Sequence, residues 1–187
     1  MKISNEHENL FWPVPASFSK TVPSTGNPGS FWENRGDRFH CGVDIYAPFG
    51  SDVVACDDGA VLKTELFTSP LWVDYWNDTF AVFIQHDCGL VARYAEMEKP
   101  AAKPGDSIRV GHVIGRVGRV LATDRITNFS PTYIQNLKTS GNPSMLHLEF
   151  FDRFPAEIPR YLGGNTFQNQ RPDFLLDPGI FLHTFTK

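Results

Sequence analysis

His40-Cys41-Gly42-Val43-Asp44-Ile45-Tyr46-Ala47-Pro48-Phe49-Gly50 is the most informative stretch of the chain. Side chains alternate across an extended backbone, so His40 and Asp44 fall on one face and Cys41 on the other. Gly42 lies between them, where a missing Cβ lets another backbone or a ligand come close. A third residue of the same chemistry stands far downstream. His147 lies within the apolar run Met145-Leu146-His147-Leu148-Glu149-Phe150. Two imidazoles and one carboxylate form a catalytic zinc set that keeps a fourth position for water. The spacing alone leaves two readings open. His40, Asp44 and His147 are metal ligands, or they are histidines satisfied in a core beside a chance carboxylate.

Around this stretch the chain reads as β structure. Asp52–Ala55 and Ala60–Lys63 flank Asp57-Asp58-Gly59, a hairpin signal. Phe80–His86 and Leu90–Tyr94 flank Asp87-Cys88-Gly89. Ile108–Val110 and Val113–Val117 flank Gly111, and Met145–Phe151 is a final strand. Sixteen Phe, fourteen Pro and fifteen Gly favour short strands and tight turns over long helices. The expectation is an all-β, antiparallel layered sandwich or barrel hybrid with long inserted loops. Residues 64–79 and 119–143 are the loop expansions, residues 1–10 a frayed terminus, and 21–39 an irregular lead-in. At most one short helical turn is expected, in the tail.

The 187 residues suit one domain, 1–187, and are too few for two comfortable ones. A hydrophobic content of 41% with 20% charged residues is globular. The net charge of −4 gives no basic footprint for nucleic acid or an anionic membrane surface. Cys41, Cys56 and Cys88 are odd in number and contain no C-x-x-C pair, so neither a disulfide framework nor a zinc ribbon is indicated. The first residues lack an apolar run of secretory type, and no stretch is long enough to span a bilayer. As written, the chain reads as cytoplasmic or delivered by another route.

Residues 40–50 resemble the H-x-G-x-D-x-x-A-P-x-G signature of the lysostaphin or LytM-type zinc peptidases. The similarity continues in order through Val53-Val54-Ala55, Asp58-Gly59-Ala60-Val61, Ile84-Gln85-His86, Tyr94-Ala95, Gly105-Asp106, Ile114-Gly115 and Leu146-His147-Leu148-Glu149. Phe11-Trp12-Pro13-Val14 matches the usual lead-in. The resemblance implies that His40, Asp44 and His147 bind Zn2+. It implies an antiparallel β fold with a groove across the sheet, and hydrolysis of peptide bonds in peptidoglycan stem or cross-bridge peptides. In that chemistry zinc acidifies water and polarises the scissile carbonyl.

Two positions depart from the family pattern. Met145 stands where a first strand histidine belongs, and Glu96 follows Tyr94-Ala95 where the family has a third histidine. Met145 can neither donate a hydrogen bond nor take a proton. Glu96 can act as general base. The expectation is that Glu96 points to the metal because it shares a strand face with Tyr94. The alternative is a surface glutamate paired with Lys99 or Lys103. The departures also fit a zinc-binding domain that binds peptide or a protein partner without turnover. Trp72, Tyr75, Trp76 and Tyr133 are candidates to line a substrate groove, or to plug the sandwich edge. Arg119, Arg125, Tyr133 and Lys138 are available as oxyanion donors. His86 is read as structural and His112 as exposed, while His7 and His183 lie near the termini.

Overall fold

A computed structural model describes residues 10–36, 38–141, 144–155 and 170–182, apart from the side chain of Ser140. His7 and His183 lie outside them, as does the frayed-terminus expectation for residues 1–9. Leu10 itself is buried, and its N–H donates to the Phe181 carbonyl at 3.3 Å.

The described residues form one antiparallel sheet of nine strands with one short helix. The strands are β1 (Val43–Tyr46), β2 (Asp52–Val54), β3 (Gly59–Thr68), β4 (Thr79–His86), β5 (Val91–Pro100), β6 (Ser107–Ile108), β7 (Val113–Arg119), β8 (Ser144–Phe151) and β9 (Leu175–Leu176). Their order is β1-β8-β7-β5-β4-β3-β6, with β2 on β7 and β9 on β8. The sheet curls because β5, paired with β4 along one edge, shares its other edge between two strands. Val91 to Ala95 pair with β8, whereas Met97 and Pro100 pair with β7. The all-β antiparallel class therefore stands.

Two expected hairpins do not form. β2 pairs with β7 and not with β3. β6 pairs with the start of β3 and not with β7. Turn-type residues mark a chain reversal, but strands that curl into a half-barrel can pass their edges to distant partners. The pair flanking Asp87-Cys88-Gly89 does form, as β4 and β5. The loop expansions are also shorter than expected. β3 continues to Thr68, which leaves 69–78 as the first loop. Within 119–143 the chain forms a 3-10 turn, Thr123–Arg125, and helix α1, Thr132–Ser140. Pro131 before that helix and Gly141 after it, at φ 70°, are its boundary signals.

The main core gathers Val43, Ile45, Val82, Ile84, Tyr94, Ile114, Leu146, Leu148 and Phe150. A second, smaller cluster packs Phe67, Trp76, Ala95, Leu121, Ile126 and Ile134 beneath loop 69–78 and α1. Among the described residues no helix is long and apolar enough to cross a membrane.

Candidate metal centre

Register carries the first-strand residues to the last strand. Asp44 pairs with His147, and Tyr46 with Met145. Paired residues of an antiparallel ladder share a face, so Asp44, Tyr46, Met145 and His147 lie together, opposite Val43, Ile45, Leu146 and Leu148 of the main core. His40 reaches this face from just before β1. A Cβ on Gly42 would stand 2.3 Å from the Leu148 carbonyl and 2.9 Å from His147 Cε1. Only glycine lets the two segments close, and what approaches it is the β8 backbone.

His40, Asp44 and His147 converge with all candidate ligand atoms within 4.8 Å of one another. His40 Nε2 is 3.1 Å from Asp44 Oδ1 and 3.0 Å from His147 Nδ1, and His147 Nδ1 is 2.9 Å from Asp44 Oδ1. Tetrahedral ligands about 2.1 Å from zinc stand about 3.4 Å apart, so the spacing fits the ion. The outer atoms fix the tautomers. His40 Nδ1–H donates to the Ser30 carbonyl at 2.8 Å, which leaves Nε2 with its lone pair inward. His147 Nε2–H donates to Glu149 Oε1 at 2.9 Å, which turns Nδ1 inward. Three acceptors then face one point, and only a cation or a proton makes that favourable.

The electrostatics agree. Burial alone would lower the pKa of His147, but hydrogen bonds to Asp44 and Glu149 outweigh it and push it up to about 9. Burial opposes ionisation of Asp44, yet the two imidazoles and Arg35 hold its carboxyl well below the usual range. His40 is lowered by burial, against the pull of Asp44. Behind Glu149 lies Arg93, fully buried, 2.6 Å from its carboxylate. The Arg93 guanidinium lies over the Phe67, Phe83 and Phe151 rings at 5.2, 5.5 and 5.9 Å. The buried anion is thus paired, without which its desolvation would be prohibitive.

Sequence reasoning missed Arg35. Its guanidinium donates to Asp44 Oδ2 at 3.2 Å and to Glu33 Oε2 at 3.3 Å. One Asp44 oxygen therefore faces the imidazoles and the other an arginine. The signal was the run Glu33-Asn34-Arg35-Gly36, read as irregular. It is one side of a short hairpin in which Asn34 bridges Phe39 and Trp32 stacks on Phe39 at 5.1 Å.

The premise for Glu96 is corrected. Tyr94 faces the main core, where its hydroxyl accepts from Cys56 N–H at 2.9 Å and donates to His86 Nε2 at 2.8 Å. A bulge follows, because Tyr94 pairs with Val82 but Met97 with Phe80. Glu96, at φ 64°, is the displaced residue and leaves the alternation. It is buried at 8% exposure, unlike the surface glutamate of the alternative. Its charge acts on the Tyr46 hydroxyl, on the ligand face. Neither Glu96 nor Cys41 belongs to the convergent ligand group among the described residues. Cys41 is buried in the main core.

Tyr75, Trp76 and Tyr133 line a cavity of about 650 Å³ with Glu33, Arg35 and Arg38. Trp76 is mostly buried in the second cluster, and Trp72 packs against that cluster. Three of the polar groups considered as oxyanion donors are held elsewhere. Arg119 lies over the Phe49 ring, Arg125 donates to the Asp74 carbonyl, and Lys138 donates to the Ile126 carbonyl. His86 Nδ1–H donates to the Asp58 carbonyl at 3.2 Å. His112 is exposed.

Comparison with known proteins gives a consistent result. The profile described as Peptidase family M23 matches residues 38–149, a span that includes His40, Asp44, His147 and Glu149. Peptidoglycan DD-endopeptidase ShyC of Vibrio cholerae is 28% identical over 121 residues, which is 64% of this chain and 25% of that protein. The chain thus spans about a quarter of that relative's length. A Pseudomonas aeruginosa crystal structure described as a peptidase M23 superposes with a TM-score of 0.52 at 20% identity, covering 96% of this chain and 52% of that one. The catalytic domain of lysostaphin from Staphylococcus simulans gives a TM-score of 0.46 at 18% identity, covering 87% and 86%.

Proposed function

Since this chain belongs to peptidase family M23, we propose that it is a zinc metalloendopeptidase that hydrolyses peptide bonds in peptidoglycan or related peptides. The observation that supports this reading is the convergence of His40 Nε2, Asp44 Oδ1 and His147 Nδ1 within 3.1 Å of one another. His40, Asp44 and His147 hold the ion. Zinc, when bound, supplies Lewis-acid polarisation of the carbonyl and acidifies water.

The protein groups then set the proton inventory. Ser30 and Glu149 keep both imidazoles oriented with a lone pair inward. Glu96 serves as the general base, a role supported by its burial and by the action of its charge on Tyr46. Tyr46 stands beside Met145 on the ligand face and carries a hydroxyl, a donor that methionine lacks. Tyr75, Trp76 and Tyr133 form the substrate wall, with Trp72 behind them.

A second reading rests on Met145. It lies on the ligand face, where it supplies no hydrogen bond. A domain that keeps zinc and binds peptide or a protein partner without turnover follows from that loss. One experiment separates the two: zinc content and hydrolysis of purified peptidoglycan, for wild type and His147→Ala. Turnover that disappears with the metal supports the peptidase. Stoichiometric zinc without turnover selects the binding domain.

A further inference from the structure

β6 covers only the start of β3, where it pairs with Gly59 and Ala60. The cover ends at Val61. Its N–H donates to the Asp106 carbonyl and its carbonyl accepts from the Gly105 N–H, both at 2.9 Å. From there to Leu66, β4 is the only strand beside β3 among the described residues. Loop 69–78 takes over at the far end, where the Thr68 hydroxyl donates to the Asn77 carbonyl at 2.8 Å. Residues 62–66 are thus an open sheet edge, with Leu62 40% and Leu66 38% exposed. Between the bulges at Leu62 and Phe67, residues 63–66 keep an unbroken register with β4.

An open edge offers backbone N–H and C=O groups to another strand, and charged side chains are a usual means of discouraging that. Here the two charges offset each other. Lys63 Nζ lies 2.6 Å from Glu65 Oε2, so the edge presents no excess of either sign. The run Leu62-Lys63-Thr64-Glu65-Leu66 also reads alike from both ends, apolar, charged, hydroxyl, charged, apolar, with the charge sign reversed. Antiparallel pairing with a second copy about a two-fold axis at Thr64 sets Lys63 opposite Glu65 of the other chain, twice. The same axis sets Leu62 opposite Leu66, also twice. An axis on Lys63 or on Glu65 puts like charges face to face, which is destabilising. The sequence of this edge therefore selects one register with itself.

We propose that residues 62–66 of β3 form a homodimer interface, in which two copies join their sheets edge to edge about Thr64. Neither Lys63 nor Glu65 belongs to the convergent ligand group, so the inference stands apart from the peptidase reading.

The test is sedimentation equilibrium of the full chain over a concentration series at low salt. A ladder this short is a small contact, so a weak dimer is expected, with a Kd of about 0.1 mM. Glu65→Lys sets a lysine opposite Lys63 twice and should weaken association about tenfold or more. The double exchange, Lys63→Glu with Glu65→Lys, makes the facing charges opposite again and should restore the wild-type constant. Thermal midpoints close to wild type show that the variants remain folded. Cross-linking reads the register independently. Thr64→Cys, on the axis, should give a disulfide-linked dimer under mild oxidation, since facing Cα atoms about 4.5–5.5 Å apart suit that bond. Lys63→Cys, off the axis, should link far less. A wild-type chain that stays monomeric up to about 1 mM overturns the inference. So does a dimer that Glu65→Lys leaves unmoved, a double exchange that fails to restore it, or equal cross-linking at 63 and 64.

Discussion

His147 Nε2–H donates to Glu149 Oε1 at 2.9 Å, two residues along the same strand and on the same face. This bond decides which nitrogen of His147 faces Asp44. Glu149 in turn is held below its usual pKa: burial opposes this, but Arg93 and His147 prevail. Removing an outer partner of a metal-binding histidine costs about 10–100-fold in affinity. Glu149→Gln should therefore weaken zinc binding by that factor in a chelator-competition titration. An unchanged affinity would show that the tautomer is set elsewhere.

Glu96→Gln keeps shape and removes a base. Hydrolysis of peptidoglycan should fall about 10²–10⁴-fold, the usual contribution of general acid–base catalysis. Bound zinc, read by elemental analysis, should stay stoichiometric. Full activity in this variant removes Glu96 from the mechanism.

Gly42→Ala forces a Cβ to within 2.3 Å of the Leu148 carbonyl. Backbone on both sides cannot yield cheaply, so β1 must lift from β8. The expected loss is about 3 kcal/mol or more, read as the urea unfolding midpoint, with zinc affinity lost in parallel. A variant of wild-type stability would contradict this account of Gly42.

The pH dependence should carry the mark of His86. Burial lowers its pKa, outweighing its hydrogen bond to the Asp58 carbonyl. The unfolded chain titrates near the ordinary value of about 6.5. Between these two values only the unfolded chain takes the proton. The stability held above about pH 6.5 is thus lost as pH falls toward the folded pKa. Urea midpoints from pH 7.5 to 5 should fall for wild type and fall less for His86→Gln. Parallel curves would assign the acid sensitivity to other groups.

The residues at 40–50 and 145–150 carried the ligand set, because ligand chemistry and the two-residue period of a strand are local properties of a chain. They put His40 and Asp44 on one face with Gly42 between them, and the structure brings His147 to that face. Helix α1 was legible in principle from Pro131 and Gly141, but its few apolar residues gave too little periodicity against a β background.

What the sequence determined was the kind of atoms available and the face of each strand on which they lie. Three matters were decided only by tertiary structure. Strand partners were one: β2 and β6 join strands distant in sequence, since the hydrogen bonds at a strand edge carry no address. Glu96 was another, because a bulge is a mismatch between two strands and neither strand contains it alone. The third was the set of partners behind the ligands. Glu149 is local to His147, but Ser30, Arg93 and Arg35 act through a few tenths of a nanometre of space, and the folded chain creates that proximity between residues as far apart as 93 and 149.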